Sequence, residues 1–443
     1  VLSQKPHLSN ESLGDVAWPP ITVPSLEAGR FDATPSAAPR TMGIVGAGMM
    51  GVAVAAASVK RNVKVVITDS DVLAQAGACD RIAAELAQHG DMANDRISPT
   101  VQRQVIATDD PAVVAQCDLV LESVPENLRL KQAIYAQLEP RLGARSILAS
   151  NTSTIPIARL AAELADPERF CGIHFFHPVR HRPLVEIIRG PKTSENTVAI
   201  AMAYARAIAK MPIVVADGPG FLVNRLLVPY LTEALEILLD GATIEQVEQA
   251  ATQFGMALGP LRLLDQIGVD TVLLAGRVLW EAFPERVIAS PLLVTLYKSG
   301  RRGRKTGAGF FCYPSGENDP GQPDPKVDAI LAQWARAPQR FTQEEITVRL
   351  LLPMILEASR LLEEGKVRDP QAIDLAMVHG LGFPAGRGGL LQWADTLGAE
   401  RILQRLQPLA SLGARMQPTR LLLEMARQRR AFYPASRALG QTA

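Results

Sequence analysis

The chain has 443 residues, a net charge of +1, 47% hydrophobic and 21% charged residues. Near-neutral charge removes the electrostatic case for nucleic acid or an anionic membrane surface. No run approaches the roughly 18 apolar residues a membrane span needs. A polypeptide of this length exceeds one ordinary core, so about two to four domains are expected.

Residues 1–40 are rich in Pro, Ser and small residues (AWPPITVPSLEAG, ATPSAAPR) and read as an extension or linker. They contain no apolar signal segment, and they open on Val1 rather than Met, so a trimmed chain or a piece of a longer polypeptide is expected. The cysteines Cys79, Cys117, Cys171 and Cys312 are scattered, with no C-x-x-C pair. Reduced thiols in a cytoplasm-like compartment are expected, with an organelle left open. The final GQTA is not a peroxisomal tripeptide.

From Thr41 the pattern becomes α/β. Met42–Val45 reads as a buried strand, Met49–Val59 as a helix and Lys64–Thr68 as the next strand. Between the first two lies GIVGAGMMG, with Gly46, Gly48 and Gly51 in G-x-G-x-x-G spacing. One glycine makes the tight turn, one lets backbone approach a pyrophosphate, and one lets helix pack on strand. The helix start then offers unpaired N–H groups and a positive dipole end to phosphate. Asp69 closes the second strand 21 residues beyond Gly48, where a carboxylate binds ribose hydroxyls. A dinucleotide site is the expectation.

Apolar runs follow at Asp118–Val124, Ser146–Ala149, Phe170–Phe176, Leu184–Ile188 and Pro212–Ala216, with helical segments such as Leu128–Leu138 and Glu195–Ala209 between them. This predicts a mostly parallel sheet with helices on both faces. Beyond Asp217 the chain reads as helical, apart from an extended piece at Gly309–Tyr313, and it repeats itself. RLLVPYLTEA from Arg225 resembles RLLLPMILEA from Arg349, an offset of 124 residues. Asp240–Gly241 matches Glu364–Gly365, and Asp265 and Gly268 match Asp395 and Gly398 once FPAGRGG is treated as an insertion. The expected architecture is an α/β Rossmann-like dinucleotide domain followed by two repeated all-α domains. The boundaries are an extension over 1–40, the nucleotide domain over 41–217, helical repeats over 218–315 and 345–435, and a linker over 316–344.

Several residues have the chemistry of a site. His174 ends one apolar run and Glu186 lies in the next, 12 residues on. On neighbouring strands the carboxylate fixes the imidazole tautomer and leaves the other nitrogen to take a proton. The alternative is a core histidine. Ser150–Ser153 (SNTS) follows a strand at its carboxyl end, where ligands sit in such sheets; the alternative is capping of a helix over 157–164 by Ser153 or Thr154. Asn224 starts the first helical unit, where the second repeat has Val348; the alternative is an exposed polar face. Glu126 and Lys131 read either as site residues or as a solvated helix start with a local ion pair. Arg301–Lys305 (RRGRK) reads as a solvated loop or as a contact for coenzyme A phosphates. Neither a clustered metal-ligand set nor a G-x-S-x-G or Walker motif is present, so no metal is expected.

Taken together, GIVGAGMMG, VLESVPENLRLK, SNTST, GIHFFHPV with LVEII, DGPGFLVNRLL and GRKTGAGFF resemble the L-3-hydroxyacyl-CoA dehydrogenase family over about residues 41–435. The duplicated helical unit resembles the dehydrogenase part of the multifunctional fatty-acid β-oxidation enzymes. There a hydratase domain often precedes it; an associated hydratase or thiolase is therefore a possible partner. The resemblance implies NAD-dependent oxidation of a 3-hydroxyacyl-CoA. It implies His174 as general base with Glu186 as its partner, and Ser153, Asn224 and His177 around the substrate. Met49, Met50, Asp69, Glu126, Lys131 and Asn151 would join the glycines along the cofactor. His177 is a departure: the family's HFFNP is HFFHP here. A neutral imidazole still donates one hydrogen bond, whereas a protonated one would oppose the basicity of His174. Two rival readings stand beside this one. One is a dehydrogenase of a free 3-hydroxy acid, whose relatives read HPFNP at this point. The other is an NAD-binding scaffold without activity. Single-repeat relatives pair their helical units across a dimer, so the duplicate is expected to supply that interface within one chain and leave a monomer.

Overall fold

A computed structural model describes residues 37–434, apart from 89, 91 and 316–318. The expected extension 1–40 thus lies almost wholly outside the described residues. Eight strands form one sheet: β1 (Thr41–Val45), β2 (Lys64–Thr68), β3 (Val105–Ala107), β4 (Leu119–Glu122), β5 (Ile147–Ser150), β6 (Phe170–Phe175), β7 (Leu184–Arg189) and β8 (Met211–Ala216). Their spatial order is β3-β2-β1-β4-β5-β6-β7-β8. Within this sheet, among the described residues, only β6 and β7 pair antiparallel. The central strands are buried almost throughout and largely apolar because both faces are covered. One core holds Ile44, Ile67, Leu121 and Ile173; the other holds Val120, Leu148, Phe170 and Ile188. β3 escapes the apolar-run pattern because it has three residues, two of them exposed.

Helix α1 (Met49–Lys60) is buried from Gly51 to Val59. Its run of Ala, Val and Ser supplies small side chains on every side, which suits a helix lying close against a sheet. Helix α2 (Leu128–Leu138) follows β4, and a short helix α3 (Ile157–Leu160) follows β5.

The helical part is built on α4 (Val223–Leu239), α5 (Ile244–Phe254) and α6 (Pro260–Ile267), and again on α7 (Gln343–Glu363), α8 (Pro370–Leu381) and α9 (Leu390–Leu397). The two sets are equivalent in chemistry. Glu248 of α5 accepts the Leu261 N–H of α6 at 2.8 Å, and Asp374 of α8 accepts the Leu391 N–H of α9 at 2.6 Å. Asp265 accepts from Phe310 and Phe311 N–H, as Asp395 accepts from Phe432 and Tyr433 N–H. The Phe–aromatic pair is thus part of the repeat as well. The stretch 316–344, expected as a linker, carries a helix over Pro325–Ala332. Asp324 caps it and Pro325 opens it, a helix-start signal.

Helices α4 and α7 pack antiparallel through reciprocal ion pairs. Arg225 at the start of α4 meets Glu357 (Nε to Oε1, 2.7 Å) and Glu364 (2.6 Å) at the end of α7. Arg349 near the start of α7 meets Glu233 (3.0 Å) and Asp240 (2.7 Å) at the end of α4. Each partner is the other's counterpart at the 124-residue offset. Among the described residues no helix is long and apolar enough to cross a membrane.

Candidate active site

The glycine loop joins β1 to α1. Gly46 has φ +110°, and a Cβ there would lie 2.5 Å from the Ser123 carbonyl oxygen. A Cβ on Gly51 would lie 1.9 Å from the Gly46 carbonyl oxygen, so helix and loop touch only because residue 51 has no side chain. A Cβ on Gly48 would meet nothing within 4 Å. The loop is therefore open just where α1 begins, and no side chain caps that end. A pyrophosphate fits such a cradle. Asp69, just past β2, lies against the same loop: one carboxylate oxygen accepts the Ala47 N–H at 2.6 Å and the other that of Asp71 at 2.9 Å. Met49 is exposed and Met50 half-buried at the start of α1.

The ends of β4 and β5 form a buried polar hub. Glu122 accepts hydrogen bonds from Lys131 Nζ (2.6 Å), Tyr135 OH (2.7 Å), Ser150 Oγ (2.7 Å) and Val124 N–H (2.7 Å). Lys131 is 1% exposed, so the solvated helix start is wrong and the local ion pair is right, with Glu122 as the main partner and Glu126 at 3.4 Å. Glu126 in turn gathers the loop after β5. It accepts from Thr152 Oγ1 (2.6 Å), Thr154 Oγ1 (2.9 Å) and the N–H groups of Ser153 (3.1 Å) and Thr154 (3.0 Å). Burial works to raise its pKa, but Lys131 and the threonine bonds hold it below the usual carboxylate range. Asn151 ties the loop to the sheet: its oxygen accepts the Phe175 N–H at 3.0 Å and its amide donates to Ser123 Oγ at 3.3 Å.

Neither Ser153 nor Thr154 caps α3. The Asp217 carboxylate does, accepting the Ile157 and Ala158 N–H groups at 2.8 and 2.7 Å. The chain beyond Thr154 places Pro156 at the cap position, so the donors turn toward a residue 60 positions away, just past β8. Burial pushes the Asp217 carboxyl upward despite these bonds. Arg301–Lys305 is divided: Arg301 is buried and pairs with Asp324 at 2.8 Å, whereas Arg302 and Lys305 are exposed, as in a solvated loop, with Lys305 paired to Asp270 at 2.5 Å.

His174 on β6 stands directly opposite Glu186 on β7. Cross-strand partners share a face, and Nδ1 lies 2.6 Å from Glu186 Oε2. Both residues are buried. The rings of Phe176 and Phe221 flank the imidazole at 4.6 and 5.9 Å. With Nδ1–H donated to the carboxylate, Nε2 is the nitrogen left to accept a proton. The second oxygen of Glu186 accepts the N–H groups of Leu222 (3.0 Å) and Val223 (2.9 Å), at the start of α4. Sequence reading missed this link, and with it Phe221. Asn224, one residue on, is half-buried rather than solvent-facing, and its amide donates to the Ser153 carbonyl at 2.9 Å. Glu186, His174, Ser153 and Asn224 are thereby joined around one helix start. His177 is exposed on the loop after β6.

A nucleotide cradle and a buried imidazole–carboxylate pair on one sheet are the parts a dinucleotide-dependent oxidoreductase requires. Residues 41–218 match the family described as 3-hydroxyacyl-CoA dehydrogenase, NAD binding domain. Residues 220–313 and 346–434 each match the C-terminal domain of the same family. The chain belongs to the 3-hydroxyacyl-CoA dehydrogenase family and is NAD-dependent. Among solved structures, 3-hydroxybutyryl-CoA dehydrogenase from Escherichia coli is 25% identical with a TM-score of 0.77, over 88% of this chain and 98% of that one. The dehydrogenase part of multifunctional enzyme 1 from C. elegans is 26% identical with a TM-score of 0.65, over 90% and 92%. (S)-3-hydroxybutyryl-CoA dehydrogenase PaaH1 from Ralstonia eutropha is 35% identical with a TM-score of 0.60, over 63% of this chain and all of that one.

Proposed function

We propose that this chain oxidises an L-3-hydroxyacyl-CoA to the 3-ketoacyl-CoA, as a step of fatty-acid β-oxidation. The observation that carries the reading is the buried His174–Glu186 pair at 2.6 Å, set beside the Ser153–Asn224 contact. His174 Nε2 takes the proton of the 3-hydroxyl. Glu186 holds the ring in the tautomer that allows this and stabilises the imidazolium that forms. Ser153 and Asn224 orient the 3-oxygen and acyl portion, and His177 is assigned as a further substrate contact. The glycine loop, with Met49, Met50, Asp69, Glu126, Lys131 and Asn151, holds the dinucleotide. Bound NAD supplies the hydride acceptor. The test is NADH consumption with acetoacetyl-CoA against free acetoacetate. Turnover of the thioester alone supports the reading, and preference for the free acid overturns it in favour of a hydroxy-acid dehydrogenase.

The Asp69 carboxylate at the glycine loop repels a 2′-phosphate. NAD(H) is accordingly expected to exceed NADP(H) clearly in kcat/KM, and equal values would refute that role for Asp69.

The functional division follows the sequence boundaries: 41–217 for the nucleotide, 218–315 for the substrate and 345–435 as packing partner, with a reducing compartment as the setting. The second unit has Val348 where the first has Asn224, and it occupies the face of α4 that would otherwise seek a second subunit. The full chain is expected to be monomeric. Deleting residues beyond about 340 is expected to give aggregation or a new dimer, because Arg225 and the apolar side of α4 lose their cover. Light scattering on both forms decides the matter; an obligate dimer of the full chain or a monomeric, soluble truncation counts against it.

A further inference from the structure

The segment that leads from the sheet into α4 is bent in an uncommon way. Gly220 and Phe221 lie side by side in the left-handed region, at φ +71° and +50°. Glycine takes that conformation freely, whereas a bulky side chain with a Cβ resists it. Phe221 is nonetheless held there. It is 1% exposed, and its ring belongs to the nucleotide-domain core with Ile157, Leu160, Phe170 and Ile188, although its backbone opens the helical part. The turn it completes aims two successive N–H groups, those of Leu222 and Val223, at Glu186 Oε1. The other oxygen of that carboxylate holds His174.

We propose that Phe221 is a positioning residue for the His174–Glu186 pair. Its ring is anchored in the sheet's core, which keeps its backbone left-handed. That backbone keeps the helix-start donors on Glu186, and Glu186 keeps the imidazole aligned. This assignment rests on the reading of His174 as the base. Backbone strain of this kind persists only where the surroundings over-determine it, and here they consist of the ring's packing on one side and the carboxylate on the other.

The proposal makes an ordering that cavity formation does not. If Phe221 only fills space, Phe221→Ala should be milder than Phe221→Gly. If its left-handed backbone matters, Phe221→Gly is the milder change, because glycine keeps the turn without the ring and alanine does not. The expected result is a kcat for Phe221→Ala roughly tenfold below that of Phe221→Gly, the order of the left-handed penalty for a Cβ. KM and the affinity for NADH should move little in either. Phe221→Leu, which refills much of the core and has its backbone held from the same side, should stay closest to the parent. The downfield proton of His174 Nδ1, shared with Glu186, should weaken in the same order when followed by NMR. Alanine equal to or better than glycine, or a fall in kcat with the Nδ1 proton unmoved, overturns the proposal. Substantial turnover in His174→Gln, measured alongside, overturns the underlying reading instead. The two failures are therefore distinguishable.

Discussion

Replacing His174 by Gln is expected to lower turnover by ~10²–10⁴-fold, the usual contribution of a positioned acid–base group. Glutamine retains bulk and a hydrogen-bonding amide beside Glu186, but it has no nitrogen that accepts a proton near neutral pH. The loss should fall on kcat. The glycine loop lies at the end of β1, three strands away from β6, so the affinity for NADH should stay close to the parent value. Steady-state assays with acetoacetyl-CoA and a fluorescence titration with NADH check both halves. Near-normal turnover would remove His174 from the mechanism, and lost NADH binding would point to a folding defect instead.

Arg349→Met is expected to cost about 3 kcal/mol of stability, at the low end for breaking a buried ion pair. Arg349 is buried, as are Glu233 and Asp240, so truncating the cation leaves two carboxylates in a poor solvent. The loss stays at the low end because Arg415 still reaches Glu233 and Arg336 still reaches Asp240 at 2.8 Å. Urea unfolding of parent and variant measures it. Arg420→Met is the control: its partner Glu424 is one turn away on an exposed face, and no measurable change is expected. Equal effects of the two substitutions would mean that the seam between the repeats carries no special weight.

The nucleotide loop was legible in the sequence because its physics is local: three glycines, a strand before and a helix after. His174 and Glu186 were legible for a related reason, since two apolar runs of known period joined by a short connection bring their members opposite one another. What could not be read was the second oxygen of Glu186. Its donors lie 36 and 37 residues on, and no periodicity marks an N–H group. The Asp217 cap on α3 was hidden the same way, behind a plausible nearby alternative in Ser153 and Thr154. Lys131 deceived by type: lysine is seldom buried, and only the convergence of β4 and α2 on Glu122 shows why it is here. The repeat was visible through Pro, Glu and Asp at fixed offsets, but its meaning as reciprocal ion pairs needed the antiparallel packing of α4 and α7.

In a pair of identical subunits every substitution at the seam happens twice, once on each side of the axis. Here it happens once. The two halves of the α4–α7 seam are free to drift apart in sequence while each keeps its partner, and they have begun to do so. Glu357 takes Arg286 at 3.3 Å and Glu233 takes Arg415, each from the equivalent stretch of the opposite unit, but Glu357 is also joined by Arg360 at 3.2 Å, where the first unit has Glu236, itself paired with Arg336. The core pairs and the flanking Arg286 and Arg415 still obey the old symmetry, and the position that is Glu236 in one half and Arg360 in the other has abandoned it. One half of the molecule can therefore be tuned to its substrate without the other half having to accommodate the change.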